Sequence, residues 1–331
     1  MIRVDGLVKS FRVFRRREGL RGALLDLAHR EYQELKAVDG VGFSIRPGEM
    51  VGCLGPNGAG KSTTLKILTG ILVPTSGTVE VGGFVPWRDR RRYVGSIGAV
   101  FGQRSSLWWD LAVIESFRLL ARIYGVSETD CRDRLDYFDA RLGIGRYLHT
   151  PARKLSLGER MRCDLVAALL HQPKVLFLDE PTIGLDIVAK AAVRNFLKEA
   201  NRSLGTTMIL TTHDLSDVEE LCPRVVILDK GRLLYDGALE AIRRRYDTQA
   251  QVVVDFTQPV PREALAALST GSGVVWEALD GNRWRAVVDR KAMDPVVLTR
   301  SLLGRFAVAD LSLVPTPVEE IIRRLYQEGG S

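Results

Sequence analysis

Two stretches of the chain carry residue types and spacings that could do chemistry at a phosphate. The first is GPNGAGKST at positions 55–63. Gly55, Gly58 and Gly60 have no Cβ, so the backbone can take φ > 0 and approach a ligand closely. Pro56, Asn57 and Ala59 complete the loop, and Lys61, Ser62 and Thr63 open a stretch with helical spacing. The pattern G-x-x-x-x-G-K-S between an apolar strand and a helix is a phosphate-binding loop. Backbone N–H groups and the positive helix end face the anion. Lys61 is placed to reach the β- and γ-phosphates, and the Ser62 hydroxyl to ligate Mg²⁺. The second stretch is VLFLDE at 175–180. Asp179 ends a buried strand read as lying beside the loop, where a carboxylate organises Mg²⁺. Glu180 follows as a general base that can polarise an attacking water.

Elements must hold these groups in place. Residues 1–11 read as a strand ending at Phe11. The segment 12–35 reads as a basic cluster, Arg15, Arg16 and Arg17, followed by an amphipathic helix. One stripe of that helix carries Leu20, Leu24 and Leu27, the adjoining one Leu25, Ala28, Tyr32 and Leu35. The run KAVDGVGFSIRPGEM suggests a hairpin-like pair of strands turning at Pro47-Gly48. Residues 76–86 read as strand and turn, and residues of about 112–141 and 156–171 as helical. KVLFLDEPT and TTMILTTHD read as buried strands of a parallel sheet, and 189–205 as a helix with a glycine stop. RVVILDKGRLLYDG reads as two strands around Asp229–Arg232. Beyond residue 245 the order strand, helix, hairpin, helix, strand, helix fits a small split-βαβ domain.

The 331 residues suggest two domains, and 46% hydrophobic content leaves ample core. Four widely spaced cysteines show no C-x-x-C or Cys/His cluster, so free thiols are expected rather than disulfides or zinc. The opening MIRVDGLVKSF has no apolar signal core, and no stretch of about 18 apolar residues could span a membrane. The net charge of +7 permits an anionic partner without requiring one.

KLSLGERM at 154–161 lies between the two phosphate motifs, and there the chain resembles the ATP-binding cassette (ABC) family. The family signature L-S-G-G-Q corresponds to Leu155-Ser156-Leu157-Gly158-Glu159. DEPTIGLD at 179–186 is similar to its Walker B plus D-loop, Gln103 in AVFGQRSS to its Q-loop, His213 in LTTHD to its switch histidine, and Phe11 to its adenine-stacking aromatic. The resemblance covers residues 1–244. It implies an α/β P-loop NTPase cassette with a RecA-like core, an antiparallel β subdomain and a helical subdomain over about 104–170. A ferredoxin-like α+β domain over 245–331 would regulate or brace a dimer.

The resemblance further implies ATP and Mg²⁺ as ligands, with Gln103 joining Ser62 and Asp179 at the metal. Two cassettes, as homodimer or heterodimer, would pack head to tail. Ser156 and Gly158 would then donate to the partner's γ-phosphate, Asp186 would cross the interface, and His213 would hold the γ-phosphate. Leu157, Glu159 and Ile187 depart from the usual family residues, and an added carboxylate at Glu159 would weaken nucleotide binding slightly. Trp108 and Trp109, just after the Q-loop, read either as core aromatics or as a docking point for a membrane permease.

The style of the motifs resembles the ABC-2 exporter branch. The expected function is an ATPase subunit working with integral membrane permease subunits at the cytoplasmic face of the cell membrane, with no specific nucleic-acid partner. The alternative is a soluble ABC ATPase acting on ribosomes or nucleic acid. Two readings of the 12–35 insert stay open: a contact with permease or anionic lipid, or a cover for the cassette's own sheet.

Overall fold

The computed structural model describes residues 1–14, 32–102, 104–246, 249–268, 273–314 and 317–329. The chain divides into two compact units, Met1–Gly237 and Ala238–Ser331.

In the first unit, β1 (Ile2–Phe14) is the middle strand of a three-stranded antiparallel sheet. It pairs with β2 (Tyr32–Ile45) on one side and β4 (Ser76–Val81) on the other. β1 runs past Phe11, and its last pair is Phe14 opposite Tyr32. Both described ends of the 12–35 segment are therefore strand, which corrects the helical reading there. Tyr32 and Leu35 are exposed strand residues rather than members of an inward stripe. Cross-strand pairing with β1 decides the conformation, which a local apolar pattern cannot report. Arg15, Arg16, Arg17, Leu20, Leu24, Leu25, Leu27 and Ala28 of the expected helix lie outside the described residues.

The core of this unit is a six-stranded sheet in the order β5-β6-β7-β3-β8-β9. Its strands are β3 (Met50–Leu54), β5 (Ile97–Phe101), β6 (Val175–Asp179), β7 (Thr207–Thr211), β8 (Arg224–Asp229) and β9 (Arg232–Ala238). The pairs β3–β7, β3–β8, β5–β6 and β6–β7 are parallel. β3 and β7 are buried at every position. That fits parallel strands covered on both faces, and explains their continuous apolar runs. The expected hairpin at Pro47-Gly48 is not formed. β2 and β3 belong to different sheets, and the turn joins them. β6 is not next to β3 either, because β7 lies between them.

The α-helices among the described residues of this unit are α1 (Lys61–Leu68), the short α2 (Arg90–Tyr93), α3 (Val113–Tyr124), α4 (Glu128–Leu142), α5 (Leu157–Leu169), α6 (Ile187–Leu204) and α7 (Leu215–Leu221). The run expected to be helical over 112–141 is split. Gly125 caps α3 in the left-handed conformation, and Ser127 starts α4 by accepting from the Asp130 N–H.

In the second unit α8 (Leu239–Tyr246) precedes β10 (Gln249–Phe256), α9 (Arg262–Ala266), β11 (Val274–Asp280), β12 (Arg283–Asp289), α10 (Pro295–Arg305), β13 (Val308–Val314) and α11 (Val318–Gly329). The four strands pair antiparallel in the order β11-β12-β10-β13, the ferredoxin-like arrangement. One face of this sheet, with Val252, Val254 and Trp276, packs against Leu298 and Leu302 of α10.

Candidate active site

The loop Gly55–Gly60 leaves β3 and enters α1. Gly60 has φ +100°, and a Cβ there would stand 2.5 Å from the Ala37 carbonyl of β2. A Cβ on Gly55 would meet the Leu228 carbonyl at 2.4 Å. The loop is thus pressed between β8 and the antiparallel sheet, and only glycine fits at either place. Gly231 ties the same region together, its N–H donating to Ala59 at 3.2 Å and its carbonyl accepting from Asp39 at 2.8 Å. No side chain caps the first turn of α1, so its N–H groups face the loop. Lys61 is buried, and its Nζ donates to the carbonyls of Gly55 at 2.6 Å and Pro56 at 3.1 Å. Pro56, Asn57, Gly58 and Ser62 are exposed, and Ala59 is buried.

The carboxylates come in from β6. Parallel register puts Asp179 beside Thr211, and Thr211 beside Cys53 of β3. The Thr211 hydroxyl donates to Asp179 Oδ1, and the Ser62 hydroxyl stands 3.5 Å from the same oxygen. One residue on, Glu180 has φ +55°, an uncommon conformation for a residue with a side chain. Its N–H donates to the Thr211 carbonyl at 2.9 Å. Its Oε2 lies 2.8 Å from His213 Nδ1, and the His213 side chain is 62% exposed. Loops leaving the ends of adjacent parallel strands therefore gather Lys61, Ser62, Asp179, Glu180 and His213.

Phe11 is half-buried on β1 opposite Leu35, two residues from Ala37, whose carbonyl approaches Gly60. The Lys9 ammonium lies 5.2 Å from its ring centroid. Gln103 lies outside the described residues.

Ser156, Gly158 and Asp186 gather at a second place. Ser156 caps α5: its hydroxyl accepts from the Glu159 N–H at 3.3 Å, and Glu159 Oε2 accepts from the Ser156 N–H at 2.8 Å. A Cβ on Gly158 would lie 3.4 Å from Ala189 and 3.7 Å from Leu185, and Leu157 packs on Gly184. Asp186 caps α6 by accepting from the Ala189 N–H at 2.8 Å. Ile187 and Val188 beside it are 87% and 75% exposed. Among the described residues no hydrogen bond or ion pair joins this group to Gly55–Gly60 or Asp179.

The ABC transporter family model matches residues 38–183. The ABC transporter ATP-binding protein NatA of Bacillus subtilis is 32% identical over 208 residues, 63% of this chain and 84% of that protein. The chain belongs to the ABC transporter ATP-binding proteins. The Nod factor export ATP-binding protein I of Burkholderia thailandensis is 33% identical over 308 residues, 89% of this chain and 94% of that protein. A dimeric ATP-binding cassette in a post-hydrolysis state with ADP and Pi superposes with a TM-score of 0.60. That structure is 25% identical, with 72% of this chain and 99% of the other covered.

In this ABC protein Glu159 does not stand free as an added charge. It closes the cap of α5, and the hydrogen bond from the Ser156 N–H holds its carboxyl below the usual range. Trp108 and Trp109 are 41% and 54% exposed, which removes the core reading. Their loop is stitched to the start of α5. The Trp109 carbonyl accepts from Arg153 N–H at 3.0 Å, Asp110 pairs with Arg153 at 2.9 Å, and Arg160 lies 5.5 Å from the Trp109 ring centroid.

Thr211 and Asp164 escaped sequence reasoning. Thr211, which holds Asp179, looked like one more β-former in a strand. Asp164 of α5 accepts from the Ser106 N–H at 2.7 Å and from the Ser105 and Ser106 hydroxyls at 3.0 Å each, and its burial pushes its carboxyl up. A carboxylate amid the apolar run RCDLVAALL was the available signal, because a buried charge requires partners.

Proposed function

We propose that this chain is the ATP-hydrolysing subunit of an export-type ABC transporter of the ABC-2 branch. Two copies, or this chain and a homologous one, close head to tail over ATP and drive separate permease subunits. The observation that carries the reading is the division of the motif residues into two groups. The loop, Asp179, Glu180 and His213 form one half-site. Ser156, Gly158 and Asp186, beside exposed Ile187 and Val188, offer the other half to a partner. A methyl at Gly158 would meet only ordinary contacts within the chain, so a glycine there suits close approach from outside.

Within the half-site Lys61 turns from the Gly55 and Pro56 carbonyls to the phosphate oxygens. α1 directs its N–H groups at the same charge. Phe11 stacks on the adenine. Glu180 accepts a proton from the attacking water, and His213 holds the γ-phosphate. Ser62 and Asp179 bring a hydroxyl and a carboxylate oxygen within 3.5 Å of each other. This is the hard oxygen set that suits Mg²⁺, with Gln103 as its further ligand. The ion, when bound, supplies charge neutralisation on the phosphates.

Export is supported by the name of the Nod factor export relative, and permease docking by exposed Trp108 and Trp109 and their ties to α5. Among the described residues no helix is long and apolar enough to cross a membrane. On this reading the permease holds the subunit peripherally at the cytoplasmic face. The second unit braces or regulates the dimer.

The test is Glu180→Gln in the full chain. ATP binding should persist, turnover should fall at least about a hundredfold, and an ATP-bearing dimer should elute on size exclusion. Turnover at the wild-type rate would remove Glu180 as the base. Permease in a bilayer should stimulate the wild type, whereas DNA, RNA or ribosomes should not. Selective stimulation by any of those three would overturn the transport reading.

A further inference from the structure

We infer that Asp217 is a positioning residue for hydrolysis: its carboxylate clamps Thr182 and Thr212, and through them holds Glu180 and His213 together. The inference rests on the reading of those two residues as the hydrolytic pair.

Asp217, on α7, is completely buried. Its Oδ1 accepts from Arg194 Nε at 2.6 Å. Arg194, from α6, is largely buried too and continues to Glu220 at 2.9 Å and Ser216 at 2.6 Å; Lys198 pairs with Glu220 at 3.2 Å. A carboxylate taken out of water needs such compensation, and Arg194 supplies it at one of the two oxygens. The other oxygen remains for different work. Oδ2 accepts from the hydroxyls of Thr182 and, at 3.4 Å, Thr212.

These threonines lie on the two chain segments that carry the pair. Thr182 is two residues after Glu180, and Thr212 is one residue before His213. The Thr212 hydroxyl also accepts from the Asp214 N–H at 3.0 Å, so one side chain fixes the backbone on both sides of His213. The clamp adds to the few restraints that define the pair. The His213 side chain is mostly in solvent; its ring Nδ1 lies 2.8 Å from Glu180 Oε2, and its backbone N–H donates to the same oxygen at 3.4 Å. Glu180 sits at φ +55°, a conformation that persists only where the surroundings over-determine it. The clamp on Thr182 is one such restraint. The Glu180 N–H to Thr211 bond is a second. Gly102 is a third, since its Cα hydrogen faces the Glu180 carbonyl where a Cβ would come within 2.4 Å. A pair that must meet a water in one geometry is thus held from behind, by a buried ion pair between α6 and α7. Small misplacement of a reacting group is enough to lower a rate without changing substrate affinity.

The experiment compares four full-length variants by steady-state kinetics and calorimetry: Glu180→Gln, Thr182→Ser, the pair Thr182→Val/Thr212→Val, and that pair on the Glu180→Gln background. The valine pair should lower kcat about tenfold with KM for ATP within about twofold of wild type. Thr182→Ser, which keeps the hydroxyl, should stay near the wild-type rate. On the Glu180→Gln background the valines should cause no further loss, because there is no pair left to position. Should the double variant fail to fold, Thr212→Val alone should show the same kcat-only loss, at about threefold. A folded valine pair with wild-type kcat, beside an inactive Glu180→Gln, would overturn the clamp and leave the hydrolytic reading intact. So would an equal loss on both backgrounds, which marks a merely structural role. If Glu180→Gln itself turns over normally, the hydrolytic reading fails first.

Discussion

Gly158→Ala separates what the monomer needs from what a partner needs. Gly158 is the second residue of α5, with Ser156 as its cap. The added methyl would lie 3.4 Å from Ala189 Cβ and 3.7 Å from Leu185 Cδ2, so the chain has room for it. Alanine also favours the helix over glycine, by up to about 1 kcal/mol in a helix interior and less in the first turn. The midpoint of thermal unfolding should therefore hold or rise by up to about 2 °C. Dimer closure should behave oppositely. A methyl forced into a close-packed contact costs about 1–3 kcal/mol, which corresponds to a dimer weaker by roughly five- to 150-fold. The assay is size exclusion with light scattering across an ATP series, using Glu180→Gln to keep the nucleotide intact, with calorimetry alongside. An unchanged ATP dependence would show that no partner approaches Gly158. A midpoint several degrees lower would show instead that the methyl does not fit the monomer, and that the packing argument fails.

Gly60→Ala should be the more damaging of two loop changes. Its methyl meets the Ala37 carbonyl at 2.5 Å at φ +100°, whereas Gly58→Ala at φ +83° meets nothing within 4 Å. By chemical denaturation the first should cost about 2–5 kcal/mol and the second about 1–2 kcal/mol; equal costs would refute the clash. Asp214 bears on acid stability. Burial raises its carboxyl, but hydrogen bonds from Lys190, at 2.6 Å, and Ser216 outweigh it and bring the pKa from 3.8 to about 2. A group depressed on folding stabilises above its unfolded pKa, and that stability goes as pH falls through the folded one. Asp214→Asn should therefore flatten the loss of melting temperature between about pH 4 and about pH 2. A melting curve as steep as wild type over that range would refute the assignment.

The glycine loop before α1, the strand ending at Asp179-Glu180 and the ferredoxin-like order were legible because each depends on neighbours in sequence. Glycines next to a helix start, an apolar run ending in acid, and alternation with turn residues are all local signals. What depends on distant partners was not legible. KAVDGVGFSI alternates as a strand should, but nothing in it says that its partner is β1 rather than β3. The ends of the 12–35 segment followed that same distant pairing. Glu159 looked like a foreign charge until its capping role was visible, though S-x-x-E was there to be read. Asp217 gave no signal at all, because the arginine that compensates it lies on α6 and one of its threonines follows Glu180.

The cap of α5 has a consequence for which residues position 156 can tolerate. The Ser156 oxygen receives the Glu159 N–H through a lone pair, so its own proton remains available. On the proposed head-to-tail closure, that proton is the one offered to the partner's phosphate. Two selections therefore act on a single atom. Capping alone accepts aspartate as readily as serine, but aspartate has no proton to give and would set a negative charge against the triphosphate. Alanine ends both roles at once. Threonine keeps both, at the expense of an extra methyl at an exposed position. The repertoire at this site is the overlap of two vocabularies, narrower than either, and a residue that satisfied only the helix would yield a well-folded subunit that cannot hold its partner's nucleotide.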